Sequence, residues 1–250
     1  MSDAATALTE QHRQAQLQVR NHALRDFLLL WPLWRGDQAT FASLVQATLP
    51  LVRVYRQTSA TLAASYYRAM RADVGVVGRP NIRLASPLDP EQITSSLYVT
   101  GQVKTRDALS GGASPEQARR AALTRVSGAV SRHVLTGGRE TVLNSVAADK
   151  GAIGWARITD GNPCYFCLTL ASRGAVYKTE QSASFEAHDH CGCSAMPVFD
   201  RHAEIPGHTK WRDIYDAAQT AGLESGDLQH GENSSAERLN AVRRYLATTT

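Results

Sequence analysis

The sequence predicts a mainly α-helical protein in three parts. These are a helical N-terminal body over residues 1–150, a small α+β module over residues 151–200, and a polar, helical C-terminal tail over residues 201–250. Three observations predict this organisation. Apolar residues recur at helical spacing from about Ala5 to Ala72, and two later segments begin with strong helix-start signals. From Gly151 onward, short alternating runs are separated by Gly, Asn and Pro, as in small sheets.

The first 73 residues predict two or three helices. Pro32 predicts a break between helices and Pro50 predicts a kink, because proline lacks the amide hydrogen that the helix interior needs. Residues 74–88 contain Gly, Pro and short apolar runs without a clear period, so they predict a surface loop and a sub-boundary of the body. The apolar stripe of this region consists of Phe41, Leu44, Val45, Leu49, Val52, Tyr55, Leu62, Ala63, Tyr66 and Met70.

Helices resume after residue 88. Asp89 and Ser114 are each followed by proline at the first helical position and by Gln three residues after the cap, an arrangement that favours helix initiation. The first of these helices is expected to end at Gly111-Gly112 and the second at Gly137-Gly138. A third is expected over residues 139–150.

The module and the tail contain shorter elements. We expect strands over residues 155–158, 175–177 and 194–199, and a short helix over residues 168–173 that ends at Gly174. In the tail, apolar residues between Trp211 and Ala218 follow helical spacing. A last helix is expected to begin at Ser234, with Glu237 as its capping partner.

Length and composition exclude several classes of protein. The chain has 250 residues, enough for one or two domains with a real core. Its longest strongly apolar run is the eight-residue stretch Phe27–Trp34, which Pro32 interrupts, whereas a bilayer span needs about 20 residues. The sequence therefore predicts no transmembrane helix and no membrane partner. The N-terminus lacks the pattern of a secretory signal, so a cytoplasm is the expected compartment.

The basic residues are concentrated in the N-terminal body. Residues 1–150 hold 18 basic and 11 acidic residues, residues 151–200 hold 3 and 5, and residues 201–250 hold 6 and 7. The arginines are spread along the predicted helices, which is more typical of solvated helix faces than of a nucleic-acid footprint. DNA binding by the basic helical body remains an alternative function.

All four cysteines lie in one window of 30 residues, Cys164 to Cys193. Cys164 and Cys167 form a C-x-x-C pair, whose spacing lets two thiolates on one turn bind the same tetrahedral metal ion. A second half follows in the segment 188–193, His-Asp-His-Cys-Gly-Cys. We predict a structural Zn²⁺ ion with the ligands Cys164, Cys167, His188 and Cys191, and with His190 and Cys193 as alternates.

Other uses of these cysteines remain open. They could be four free buried thiols or, less favoured in a reducing compartment, a pair of disulfides. A P-C-x-x-C string also occurs in zinc deaminases, which need an upstream H-x-E or C-x-E motif. None of the three upstream histidines is followed by Glu at the required position. We therefore expect no enzymatic activity. A zinc hydrolase or deaminase-like enzyme is the alternative, with Glu186 or Asp189 as its general base.

The cysteine-containing segment resembles the phage Mu F-like minor head proteins, the head morphogenesis proteins of tailed phages, and is most similar to those of actinobacterial phages. That family pairs a C-x-x-C with a later H-x-x-C-x-C. His190 is additional to the motif, and the specific similarity covers about a fifth of the chain. It is carried by residues 155–177, WARITDGNPCYFCLTLASRGAVY, and by residues 188–199, HDHCGCSAMPVF.

The resemblance implies a minor component of the procapsid and virion, present in few copies. Such a protein would associate with the portal protein or the major capsid protein on the inside of the capsid, and with packaged double-stranded DNA without sequence preference. It would occupy the host cytoplasm during assembly and the virion afterwards. The sequence also allows a homo-oligomer.

Overall fold

The structure, a computed structural model, describes residues 2–159, 161–177, 187–231 and 233–249. The predicted mainly helical fold is confirmed, and the described residues form one three-stranded sheet. Among the helices in these ranges, none has both the length and the apolar character to cross a bilayer. In chain order, the elements are α1 (Asp3–Leu30), α2 (Gln38–Asp73), α3 (Pro90–Tyr98), α4 (Lys104–Ser110), α5 (Pro115–Ala148), β1 (Gly154–Ile158), α6 (Tyr165–Ala171), β2 (Ala175–Tyr177), β3 (Ser194–Val198), α7 (His208–Glu224) and α8 (Ser235–Thr249).

Helices α1, α2 and α5 pack together as the N-terminal body. Side-chain oxygens of Ser2, Asp37 and Ser114 accept backbone amide hydrogens at the three N-termini, and Ser114 forms a complete capping box with Gln117. The break predicted at Pro32 is confirmed by a short 3₁₀ turn. Helix α2 continues through Pro50, where the kink stays a prediction. The main core of the body contains Phe27, Trp31, Trp34, Phe41, Leu44, Val52, Ile93, Leu97, Val126, Val130 and Val134.

The helix end predicted at Gly137-Gly138 is wrong, because α5 runs without interruption to Ala148. Both glycines lie where helices approach each other closely. A Cβ atom at Gly137 would overlap the backbone carbonyl oxygen of Arg56, and one at Gly138 would lie 2.8 Å from Gln16 Nε2 and 2.9 Å from Ser59 Oγ. The pair therefore serves helix packing. By contrast, the helix end predicted at Gly111-Gly112 is confirmed.

The sheet has the order β2-β1-β3, and both strand pairs are antiparallel. Within the described residues, Pro197 lies on the edge strand β3, the kind of strand in which proline is tolerated. A second apolar core joins this sheet to the body and contains Tyr66, Tyr67, Met70, Val142, Val146, Trp155, Ala156, Met196 and Val198. The division of the chain at residues 150 and 200 stays a prediction; in the structure, this core extends across residue 150.

The predicted loop over residues 74–88 is confirmed as irregular backbone. Arg71 fixes the start of this loop, because its guanidinium group donates hydrogen bonds to the carbonyl oxygens of Val76, Val77 and Gly78. Further along, the Ala85 amide donates to Thr141 Oγ1 on α5. The loop is thus fixed against the body by hydrogen bonds.

The C-terminal tail forms a hairpin of α7 and α8 that packs on α6. A third apolar core contains Leu168 and Ala171 of α6, Trp211 and Ala218 of α7, and Val242 of α8. The helix start predicted at Ser234 is confirmed, and the Ser234 amide donates to the Glu237 carboxylate at 2.6 Å. The tail therefore lies on its own chain.

The expectation that the helical arginines occupy solvated faces is wrong for three of them. Arg56, Arg71 and Arg139 are at most 6% exposed. Arg56 forms an ion pair with Glu140, and Arg71 pairs with the buried Asp149 at 2.8 Å. Part of the positive charge of the body is therefore used inside the fold.

Buried histidines are expected to make the stability of the fold depend on pH. Burial lowers the pKa of His12 to about 3 and that of His133 to about 4. Because histidine in an unfolded chain titrates near about 6.5, unfolding below that pH takes up protons. The full stability is present above the unfolded pKa and is lost as the pH falls towards the native values, by about 1.4 kcal/mol per pH unit for each histidine.

His12→Phe is expected to flatten this dependence while keeping an aromatic ring on Tyr66, against which the imidazole stacks at 4.2 Å. Urea unfolding at several values between about pH 7 and pH 5 measures the slope. The matched control is His22→Gln, since His22 is exposed on the same helix. A slope in His12→Phe as steep as in the wild type would contradict this account.

Candidate metal centre

The C-x-x-C pair lies at the start of α6. Cys164 is the N-cap residue, and its sulfur accepts the backbone amide hydrogen of Cys167 at 3.4 Å. The helix begins at Tyr165, earlier than the predicted start at residue 168. This turn brings both sulfurs to the same end of the helix. Cys167 is buried, whereas Cys164 is half-buried.

The second half of the site is the segment between residue 187 and the start of β3, and it lies against α5. Arg132 of α5 donates to the Asp189 carboxylate at 2.7 Å. The imidazole of His190 packs on α5 at Gly128, where a Cβ atom would lie 2.6 Å from His190 Nε2. Because Gly128 has no side chain, this segment can approach the helix closely.

The cysteines and His188 form two groups that share Cys167. In the first group, Cys164, Cys167 and His188 present ligand atoms that all lie within 4.8 Å of one another, and in the second Cys167, Cys191 and Cys193 do the same. The Cys164 Sγ atom lies 2.7 Å from His188 Nε2, and the sulfurs of Cys167 and Cys191 are 3.4 Å apart. Five donors therefore surround one small region.

These groups contain each residue of the predicted ligand set and the alternate Cys193. His190, the other alternate, belongs to neither group. The assignment of four ligands among the five donors stays a prediction. The way in which the segment folds on α5 brings His188, and not His190, to the sulfurs. The spacing of the residues does not determine this.

His188 is oriented by its other ring nitrogen. Its Nδ1 atom lies 2.6 Å from the backbone carbonyl oxygen of Asp189, which is an acceptor, so Nδ1 carries the hydrogen in this contact. The Nε2 lone pair then faces the sulfur of Cys164. A hydrogen bond of this kind to the second nitrogen is the usual companion of a metal-binding histidine.

The sulfurs of the cluster shift one another's pKa values. The hydrogen bond with Cys167 lowers the pKa of Cys164 to about 5, and His188 acts in the same direction. Hydrogen bonds from Cys167 and Cys193, together with the charge of Arg139, lower the pKa of Cys191, whereas the pKa of Cys167 is raised by its bonds to neighbouring sulfurs. The pKa of Cys193 is raised as well, so the thiolate, the form in which cysteine binds metals, is favoured at Cys164 and Cys191.

The donor chemistry fits zinc. Thiolate and imidazole groups favour Zn²⁺, whereas Mg²⁺ and Ca²⁺ require oxygen ligands. Three of the five donors, Cys167, Cys191 and Cys193, are buried, as in closed structural sites. Cys164, Cys167 and His188 would hold the ion together with Cys191 or Cys193. When bound, zinc would link α6 to the segment that lies on α5.

Two arginines beside the cluster were missed by sequence reasoning. Arg139 of α5 donates to the backbone carbonyl oxygens of Cys191 at 2.5 Å and Cys193 at 2.9 Å. Arg157 of β1 places Nη1 3.9 Å from Cys167 Sγ. Both side chains are 3% exposed. The only local signal was the position of Arg157 in a strand flanked by apolar residues.

Of the two carboxylates that were candidates for a general base, the structure describes Asp189. Asp189 is held in the ion pair with Arg132, which restricts its use as a base. Glu186 lies outside the described residues.

Comparison with known proteins identifies the family of this chain. The model of the VG15 protein family matches residues 3–218, which include the body, the sheet and the Cys/His cluster. The chain is also 26% identical to the "Gene 15 protein" of Mycobacterium phage D29, in an alignment that covers 83% of this chain and 86% of the phage protein. No solved structure matches. The chain therefore belongs to the VG15 protein family.

Proposed function

We propose that this chain is a minor head protein of a tailed phage, of the Mu F-like type, with a role in head assembly and no enzymatic activity. The observation that carries the proposal is the VG15 match over residues 3–218 together with the similarity to a mycobacteriophage gene product. The similarity extends through the helical body and the cluster, so it concerns the architecture and not one short motif.

In this proposal, zinc is a structural element. The cluster lies between α6 and α5, and α6 in turn carries the C-terminal hairpin. A bound ion would therefore hold three parts of the chain in one arrangement. Free energy of metal binding becomes free energy of folding when the site forms only in the folded state.

The proposed partners are the portal protein, the major capsid protein, or both. The proposed location is the inner capsid or the region near the portal in the virion, and the host cytoplasm during assembly. Exposed arginines of the body, such as Arg53 and Arg68, would add non-specific contacts to packaged DNA. Assembly into a homo-oligomer is compatible with this role.

The composition of particles tests the proposal. A phage that lacks the gene is complemented with the wild-type chain, and procapsids and virions are separated on gradients. Quantitative mass spectrometry of both fractions should find a few copies per particle, and cross-linking should join the chain to the portal or the major capsid protein. Absence of the chain from both kinds of particle would contradict the proposal and favour the zinc hydrolase alternative.

A further inference from the structure

Two buried guanidinium groups approach the cysteine cluster from different elements. Arg139 comes from the middle of α5 and Arg157 from β1. The Arg139 side chain binds the carbonyl oxygens of Cys191 and Cys193, while Arg157 faces the sulfur of Cys167. Together they contact the three buried cysteines.

A buried positive charge is costly unless a negative group lies beside it. Elsewhere in this fold, the buried arginines Arg56 and Arg71 each pair with a carboxylate, Glu140 or Asp149. Among the described residues, Arg139 and Arg157 lie against the cysteines of the cluster.

The charge of a zinc–thiolate centre matches this arrangement. Zinc with three thiolates and a neutral imidazole carries one net negative charge, and zinc with four thiolates carries two. Such an anion in the protein interior needs compensation, because water no longer solvates it. Two guanidinium groups supply up to two positive charges at the buried side of the cluster.

We infer that Arg139 and Arg157 are positioning residues of the metal centre: they compensate the negative charge of the zinc–thiolate group and so set the affinity of the protein for the metal. Arg139 has a second role, since its two hydrogen bonds fix the backbone on both sides of Gly192 and thereby orient the two sulfurs. The inference rests on the zinc centre of the proposed function.

Zinc affinity of the full-length chain, measured by competition with a chromophoric chelator, tests this inference. Arg157→Met removes the charge with little change in length, and we expect zinc binding to weaken about 10- to 100-fold, the usual effect of losing an outer-shell partner. Arg157→Lys keeps the charge and should lose less. Arg139→Met is the second position and should weaken binding at least as much, because it also loses two hydrogen bonds.

A separate readout distinguishes charge compensation from general destabilisation. The visible spectrum of bound Co²⁺ should keep the wild-type thiolate bands in Arg157→Met, since the ligands are unchanged. The matched control is Arg56→Met, which removes a buried arginine that pairs with Glu140. It should lower the thermal midpoint of metal-free and zinc-loaded protein alike and leave the zinc affinity within about twofold of wild type.

Zinc affinities of Arg157→Met and Arg139→Met within twofold of wild type, in folded protein, would overturn the inference alone. A wild-type chain that binds no zinc would overturn both the inference and the zinc centre. The role in head assembly is decided independently by the composition of particles.

Discussion

Cys167→Ser is expected to abolish stable zinc binding and to unfold the region around α6. Cys167 is the residue shared by both groups of donors, and it is 2% exposed, so no other side chain can take its place without rearrangement. Structural zinc contributes about 10–16 kcal/mol in small zinc domains, and the loss of one of four ligands should remove most of that stabilisation. Native mass spectrometry gives the zinc content, and urea unfolding gives the stability.

The two neighbouring histidines supply the control. His188→Gln should weaken zinc binding, whereas His190→Gln should bind zinc like the wild type, since His190 packs on Gly128 and not on the sulfurs. In the complemented phage, His190→Gln should support particle formation and Cys167→Ser should not. One zinc per chain and unaltered stability in Cys167→Ser would refute the proposed centre.

Gly137→Ala is expected to destabilise the helical body, although alanine is the better helix former. The substitution should gain about 1 kcal/mol from helix propensity. The added methyl group, however, would overlap the carbonyl oxygen of Arg56, which belongs to the backbone of α2 and cannot rotate away. Overpacking of this kind costs typically about 1–3 kcal/mol. We expect a net loss of stability, measured as a lower midpoint in urea at unchanged slope.

Gly111→Ala is the matched control at a helix end. Its Cβ atom would lie 3.4 Å from the Asp107 carbonyl oxygen, an ordinary contact, and the residue is exposed. We expect a change within about 0.5 kcal/mol. If Gly137→Ala were as stable as the wild type or more stable, Gly137 would be an ordinary helix residue and not a packing site.

The helix starts were predictable because their signals are local. Ser114 and Gln117, or Ser234 and Glu237, lie within one turn of each other and form their capping bonds whatever the rest of the chain does. The same holds for the positive φ of Gly112, which ends α4. Short strands bounded by turn residues were recognised for a similar reason.

The errors arose where the deciding contact is distant in sequence. Gly137-Gly138 has the local pattern of a helix end, and only the approach of α1 and α2 gives it another use. Likewise, an arginine on a helix is normally solvated, and its burial depends on a partner such as Asp149, which follows Arg71 by 78 residues. A stretch of sequence as short as one or two helical turns predicts neither the helix contact nor the ion pair.

The candidate site shows the same division. The C-x-x-C spacing predicted a shared turn, and Cys164 and Cys167 indeed lie at the start of one helix. The choice between His188 and His190 depends on how their segment lies on α5, which spacing alone does not determine. The sulfurs of Cys191 and Cys193 both lie within 4.8 Å of the Cys167 sulfur, so either cysteine is placed to be the fourth ligand.

The position of α6 between the cluster and the C-terminal hairpin also imposes an order on biosynthesis. Leu168 is covered by Val242 and its neighbours, which the ribosome adds about 70 residues later. At roughly 5–20 residues per second, this interval lasts about 4–15 s. In the later part of that time the nascent chain has all four cysteines and α7, but α8 does not yet cover α6. The last two helices to be translated therefore complete the burial of a segment whose ligands were synthesised first, and nascent chains stalled before α8 should be the form most prone to aggregation.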